Sequence, residues 1–238
     1  MHPTQGEDGM GKMRSNEGNT QSKLLIITSI LLMAGCTQKF NDVSATVEEA
    51  YSNYIDVELT SDEIKQVPYA SAYLRIGSQK QVFVVLAFAE ENKVTGTKQL
   101  KWVSADKSMI VTENGRIIKT IGLQKNNLVA ISGTYPKFNE VNTIHSYSLT
   151  YDWMPKYRYN YSATAQLSKS ITSTVETALY NSPAQIFEES IYFKALDSKI
   201  TNRYWVDTSG NVLKTRQYLG PNMEPIEITF LKRYTEKK

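Results

Sequence analysis

Residues 109–123 read MIVTENGRIIKTIGL, and the Asn114-Gly115 pair at their centre decides the architecture. A two-residue type I′ turn needs positive φ at both central positions, and Asn-Gly meets that need at low steric cost. The flanks MIVTE and RIIKTIGL are rich in β-branched residues, so the stretch predicts an antiparallel hairpin. Outward from it the same grammar repeats. Residues 100–104 form a strand candidate across the polar turn Ala105-Asp106-Lys107, and residues 82–89, VFVVLAFA, are a continuous apolar run of strand length. That run reads as buried on both faces and as the centre of the core.

Downstream, strands are expected at 128–132, 143–151 and 157–167, with a threonine-rich, strand-like segment at 171–179. Residues 186–193 fit helix and strand equally well. Residues 201–206 and 212–219 flank Thr208-Ser209-Gly210-Asn211, a second hairpin signal, and residues 226–231 form a last strand. The two hairpins echo each other: GRIIKT at 115–120 and GNVLKT at 210–215 each follow a Trp-Val pair, Trp102-Val103 and Trp205-Val206. Val43, Val47, Ala50, Tyr51, Tyr54 and Ile55 recur at helical spacing and predict one N-terminal amphipathic helix, with a shorter helical turn at 61–66 stopped by Pro68. The whole predicts a mainly β fold, an antiparallel barrel-like or sandwich domain behind that helix.

The N-terminal segment belongs to targeting and not to this fold. Residues 1–23 are polar and carry Lys12, Arg14 and Lys23; residues 24–33, LLIITSILLM, are apolar. A membrane-spanning helix needs about 20 apolar residues, and this run is roughly half that, so it reads as the h-region of a signal peptide. Met1 and Met13 both remain open as the start; counted from Met13, residues 1–12 are an upstream extension. Ala34-Gly35 before Cys36 resembles the bacterial lipobox, with Met33 in place of the usual leucine. The resemblance implies a diacylglycerol on the Cys36 sulfur, cleavage before Cys36, and acylation of the new amino group. At about 0.8 kcal/mol per buried methylene, three such chains, palmitate among them, hold a protein in outer-membrane lipid permanently. Thr37, where an Asp would retain the protein elsewhere, implies delivery to the outer membrane. The expected organisation is a signal peptide over 1–35, a lipidated tether over 36–42, and one β-rich domain in the periplasm over 43–238.

Composition excludes several classes of function. The chain has 27 Lys and Arg against 24 Asp and Glu, net +3, and residues 1–35 carry three of each sign, so processing leaves the balance unchanged. That charge is too mild and too scattered for nucleic acid. With one cysteine there is no disulfide, and with His2 in the leader only His145 remains, so no transition-metal ligand set is expected. No Gly-x-Ser-x-Gly elbow, Gly-x-Gly-x-x-Gly loop or Walker pattern occurs, and no cofactor or catalytic residue is assigned. Asp152, Glu176, Asp207 and Glu224 keep glycoside cleavage open, although Asp207 also suits the cap of its own turn.

Two groups suit contact with glycan or a partner. Residues 151–161, YDWMPKYRYNY, place Tyr157, Tyr159 and Tyr161 on one face of a strand close to Trp153, and Lys156, Arg158 and Asn160 on the other. Tyrosines in a row stack on sugar rings; the same row also fits half-buried sheet packing. Arg116, Arg216 and Gln217 follow the two hairpin turns and make a candidate polar patch beside Trp102 and Trp205.

Three blocks carry a family resemblance: VPYASAYLRIG at 67–77, WVSADKSMIVTENGRIIKTIGL at 102–123, and YWVDTSGNVLKTRQYLGPNMEPIEITFLK at 204–232. Together they resemble the YjbF family, the group 4 capsule polysaccharide lipoproteins. The final block, with Trp205, Gly210, Gln217, Gly220-Pro221 and Leu231-Lys232, is the most specific. The resemblance implies an outer-membrane lipoprotein encoded with capsule or exopolysaccharide genes, a barrel-like periplasmic domain, and no established enzymatic activity. The expected role is assistance in polysaccharide assembly or export, by binding glycan or by docking on export-machinery proteins. A periplasmic polysaccharide-modifying enzyme, such as a glycoside hydrolase, is the alternative.

Overall fold

The computed structural model describes residues 47–48, 55–93 and 95–236. The expected signal peptide, Cys36 and the tether lie outside these residues. So does most of the helix expected over 43–55, of which Val47 and Glu48 are helical.

Twelve strands follow in chain order: β1 (Ser71–Ile76), β2 (Val82–Glu91), β3 (Lys98–Val103), β4 (Met109–Glu113), β5 (Arg116–Ile121), β6 (Asn127–Gly133), β7 (His145–Met154), β8 (Arg158–Glu176), β9 (Asn181–Phe193), β10 (Ser198–Val206), β11 (Val212–Tyr218) and β12 (Pro225–Lys232). They form one sheet in the order β5-β4-β3-β2-β1-β12-β11-β10-β9-β8-β7-β6. Every pairing is antiparallel. The sheet curls into a nearly closed barrel. Because β1 pairs with β12, the open seam falls between β5 and β6 and not at the chain ends.

The founding hairpin forms as expected. Glu113 faces Arg116 across the turn, with Asn114 at φ 48° and Gly115 at φ 78°, the double positive φ that only a residue pair of this kind adopts easily. At the seam, side chains substitute for missing ladder bonds. Thr120 Oγ1 accepts the Leu128 amide at 2.9 Å, and Asn127 both accepts from the Leu123 amide and donates to the Leu123 carbonyl, at 3.0 and 2.9 Å.

Inward positions alternate along each strand and fill the barrel. Ala72, Leu74, Trp102, Ile110, Leu128, Trp153, Ile191, Phe193, Ile226 and Ile228 pack as one cluster. Trp153 and Phe193 approach to 5.5 Å between ring centroids, and the Trp153 indole donates to the Leu219 carbonyl at 2.6 Å. Outside the barrel, α1 (Ser61–Gln66) starts on Thr60, whose hydroxyl and amide complete a capping box with Glu63. Its Ile64 packs with Val57, Leu59 and Val67 on Phe83 and Leu231, covering the outer faces of β2 and β12.

Three expectations change. Only the first half of VFVVLAFA is core: Phe83 and Val84 are buried, whereas Ala87 and Phe88 are exposed beyond a bulge between Leu86 and Phe88. An extra residue shifts the phase of the pleat, so an apolar run need not be buried throughout. The separate strands at 157–167 and 171–179 are one long strand, β8, interrupted by a bulge between Lys169 and Thr172. The ambiguous 186–193 is strand, continuous with 181–185.

Candidate functional site

The densest polar chemistry lies inside the barrel. Glu189 occupies the inward phase of β9, between Phe187 and Ile191, and faces Arg116 from the first position of β5. Their ion pair spans 3.2 Å, with side-chain exposures of 4% and 3%. Tyr204 donates to Glu189 Oε2 at 2.7 Å and Asn202 donates to the same oxygen at 3.1 Å; Tyr147 donates to Oε1. The Arg116 guanidinium lies over three rings, 5.0 Å from the centroid of Tyr135, 4.6 Å from Phe138 and 5.0 Å from Tyr204. Phe138 reaches it from the β6–β7 connection, where it also packs on Phe187 and Tyr204 and covers this end of the barrel.

Burial alone would push the Glu189 carboxyl up; the Arg116 charge and the bonds from Tyr147, Tyr204 and Asn202 outweigh it and hold the group below the ordinary carboxylate value. Burial likewise works against the Arg116 cation, and the Glu189 charge reverses that, so the guanidinium stays charged. The tyrosines around them are pushed up by burial and by the Glu189 charge, and remain neutral donors. The cavity beside this network measures about 10 Å³, room for no more than one water and far below a sugar ring. An acid held ionised by this many donors has no proton to give at neutral pH.

Gln217 ties the same region shut. Its amide accepts from the Ile117 N–H and donates to the Gly115 carbonyl, each at 3.0 Å, which satisfies the free edge of β5 from across the barrel. The echoing hairpins meet here: a Cβ on Gly115 would stand 2.6 Å from the Val212 side chain. The similarity of GRIIKT and GNVLKT thus ends in direct contact between the two segments.

The candidate residues read from the sequence scatter over both surfaces. Arg116, Gln217, Trp102 and Trp153 are buried inside the barrel and form no surface patch. Trp102 donates to Thr112 Oγ1 at 2.8 Å and packs on Phe230. Trp205 lies on the outer face, against Val175, Ala184 and Leu213, with the Lys214 ammonium 5.4 Å from its ring. Arg216 is also outside, in an ion pair with Glu227 at 3.1 Å. Arg116 and Gln217 share one end of the barrel with neither Arg216 nor Trp205 beside them.

The tyrosine row is broken. Tyr157 sits in the turn between β7 and β8 at φ 48°, and Asn160 takes φ 62° with its amide on Asp152 at 2.7 Å. That left-handed kink turns Tyr161 inward onto Trp153, at 5.3 Å, and leaves Tyr157 and Tyr159 75% and 48% exposed at the hairpin tip. The carboxylates considered for glycoside cleavage are spread too. Asp207 caps its own turn, accepting from the Ser209 and Asn211 amides at 2.9 Å each, and Glu224 pairs with Lys125. Among the described residues no three His, Cys, Asp or Glu side chains converge as a metal-sized cluster.

Glu189, Tyr147, Asn202 and Tyr204 were not singled out from the sequence. The signal was present in QIFEESIYF: once that segment is a strand, Phe187, Glu189, Ile191 and Phe193 share the apolar phase, and a carboxyl in that phase calls for a buried cation or hydrogen-bond donors.

Residues 44–231 match the family model described as group 4 capsule polysaccharide lipoprotein gfcB, YjbF. Two lipoproteins of Escherichia coli K12 are similar over nearly their whole length. GfcB is 31% identical over 88% of this chain and 97% of its own; YjbF is 29% identical over 87% and 96%. The crystal structure of the hypothetical lipoprotein YmcC from the same organism superposes with a TM-score of 0.67 at 26% identity, covering 82% of this chain and 97% of that one.

Proposed function

The chain belongs to the YjbF family of group 4 capsule polysaccharide lipoproteins, and from that membership we propose that it is an accessory of surface-polysaccharide assembly or export. In this reading Cys36 carries acyl chains in the outer membrane, and the barrel stands on the periplasmic side. The barrel takes no substrate into its interior and has no enzymatic step of its own. It meets glycan or export-machinery proteins with its outside.

One observation supports the outside over the inside: the interior is closed around a fully partnered Arg116–Glu189 pair, beside a space of about 10 Å³. A carbohydrate site in a barrel lumen needs a few hundred cubic ångströms and polar groups left open toward the ligand. Neither is found there. The test is genetic and quantitative. Deleting the chain is expected to lower surface polysaccharide, and the wild-type chain is expected to restore it. Cys36→Ser, released from the membrane, is expected not to do so. Unchanged polysaccharide in the deletion strain removes the role.

A further inference from the structure

The outer face of the sheet carries a row of charges in register. Glu188 on β9 faces Arg203 on β10, Arg203 faces Arg216 on β11, Arg216 faces Glu227 on β12, and Glu227 faces Arg75 on β1. Arg75 in turn holds Asp56, at 2.7 Å. All signs alternate along this row except at one step, where the two arginines stand directly opposite each other.

Like charges in directly opposed positions repel, with Cβ atoms about 5 Å apart. Each arginine has a carboxylate only on its far flank: Arg203 meets Glu188 at 2.8 Å, and Arg216 meets Glu227 at 3.1 Å. The space between them opens into a groove of about 450 Å³ on the outer surface, bordered by Lys199, Thr201, Arg203, Arg216, Tyr218 and Asn222. None of the residues lining it is acidic. Lys199 adds a third cation at its far end, opposite Tyr192, whose hydroxyl is held by Asp197 at 3.0 Å.

We propose that this groove binds an acidic saccharide, with a uronic-acid carboxylate bridging Arg203 and Arg216. Both arginines border this one groove, and an anion placed between them bridges the two guanidinium groups and relieves their mutual repulsion. Thr201, Asn222 and the Tyr218 hydroxyl supply neutral hydrogen-bonding groups for sugar hydroxyls, and the Tyr218 ring, itself 5.5 Å from the Arg216 guanidinium, offers an edge for the sugar. The groove's polar border suits a saccharide better than a lipid headgroup, which would bring acyl chains with it. The inference rests on the proposed role in polysaccharide handling and names the contact.

The test uses the full-length lipoprotein in detergent, with oligogalacturonate as the probe, a neutral glucan of equal length as control, and glycerophosphoglycerol, the free headgroup of phosphatidylglycerol, as the lipid arm. Oligogalacturonate is expected to bind, the neutral glucan at least tenfold more weakly, and added salt to weaken the acidic ligand selectively. Arg203→Gln with Arg216→Gln is expected to lower oligogalacturonate affinity at least tenfold. Glu188→Gln with Glu227→Gln keeps both arginines, frees them from their flanking partners, and is expected to raise it. Equal binding of the neutral glucan overturns the proposal, as does binding of the headgroup without oligogalacturonate binding, or an arginine pair whose loss changes nothing. If oligogalacturonate fails while surface polysaccharide still depends on the chain, the groove is refuted and the family role stands. If polysaccharide does not depend on the chain, the role itself falls.

Discussion

Replacing Arg116 by Met removes the cation from a site that remains built for an ion pair. Glu189 keeps its bonds from Tyr147, Tyr204 and Asn202, but at 3% exposure it has no water to replace the lost charge. Breaking a buried pair on one side costs about 3–5 kcal/mol. For a domain of this size, 1 kcal/mol moves the midpoint by about 2–4 °C, so Tm is expected to fall by about 6–20 °C at pH 8. The sign of the pH dependence provides a second check. In the wild type the Glu189 pKa is depressed, so its stabilisation is complete above the unfolded value of 4.5 and is lost as pH falls through the native value. In Arg116→Met the largest influence opposing burial, the Arg116 charge, is gone and only the hydrogen bonds from Tyr147, Tyr204 and Asn202 oppose it, so the native pKa is expected to rise above the unfolded value, the native state to take up a proton, and stability to rise as pH drops from 8 toward 5. Adding Glu189→Gln removes the stranded charge, keeps an acceptor for the tyrosines, and is expected to recover stability at pH 8 relative to the single variant. Thermal melts across pH decide the matter. A Tm within 2 °C of wild type, or a double variant no better than the single one, refutes a buried, charged pair.

Other perturbations separate interior from surface. Gly115→Ala forces a Cβ into φ 78° and into the Val212 side chain, and is expected to cost about 2–5 kcal/mol by denaturant titration, with Val212→Ala recovering the packing part. Trp153→Phe leaves the Leu219 carbonyl without its indole donor and is expected to cost about 1–3 kcal/mol, read by the same titration. Tyr157→Ala with Tyr159→Ala touches only the exposed hairpin tip and is expected to move stability by less than about 0.5 kcal/mol.

The two hairpins and a mainly antiparallel β domain, barrel-like or sandwich, were legible because local signals carry them; the pairing of β1 with β12 that leaves the seam between β5 and β6 was not. Asn114-Gly115 and Gly210 with its Asp207 cap each depend on a few adjacent residues, and both appear where expected. The side of the sheet on which a given polar residue lies was less legible, because a single bulge inverts it. The kink at Asn160 took Tyr161 out of its row, and the bulge in β2 exposed Phe88. Arg116 and Gln217 looked like surface groups because nothing nearby in sequence announces their partners. Glu189 lies 73 residues from Arg116, and the Ile117 amide lies 100 residues from Gln217. The arginine pair of the outer face shows only after strand register is known, since Arg203 and Arg216 face each other across β10 and β11.

In the proposed role the interior of the barrel supplies stability and its outside supplies function. The most direct measurement is surface polysaccharide per molecule of folded lipoprotein, in a deletion strain carrying wild type, Arg116→Met, or Arg203→Gln with Arg216→Gln. Arg116→Met is expected to lower the amount of folded protein but to leave polysaccharide per folded molecule unchanged, whereas the outer-face pair is expected to keep the protein level and to lower polysaccharide per molecule. The reverse pattern, with Arg116→Met fully folded and inactive and the outer-face variant fully active, contradicts this division.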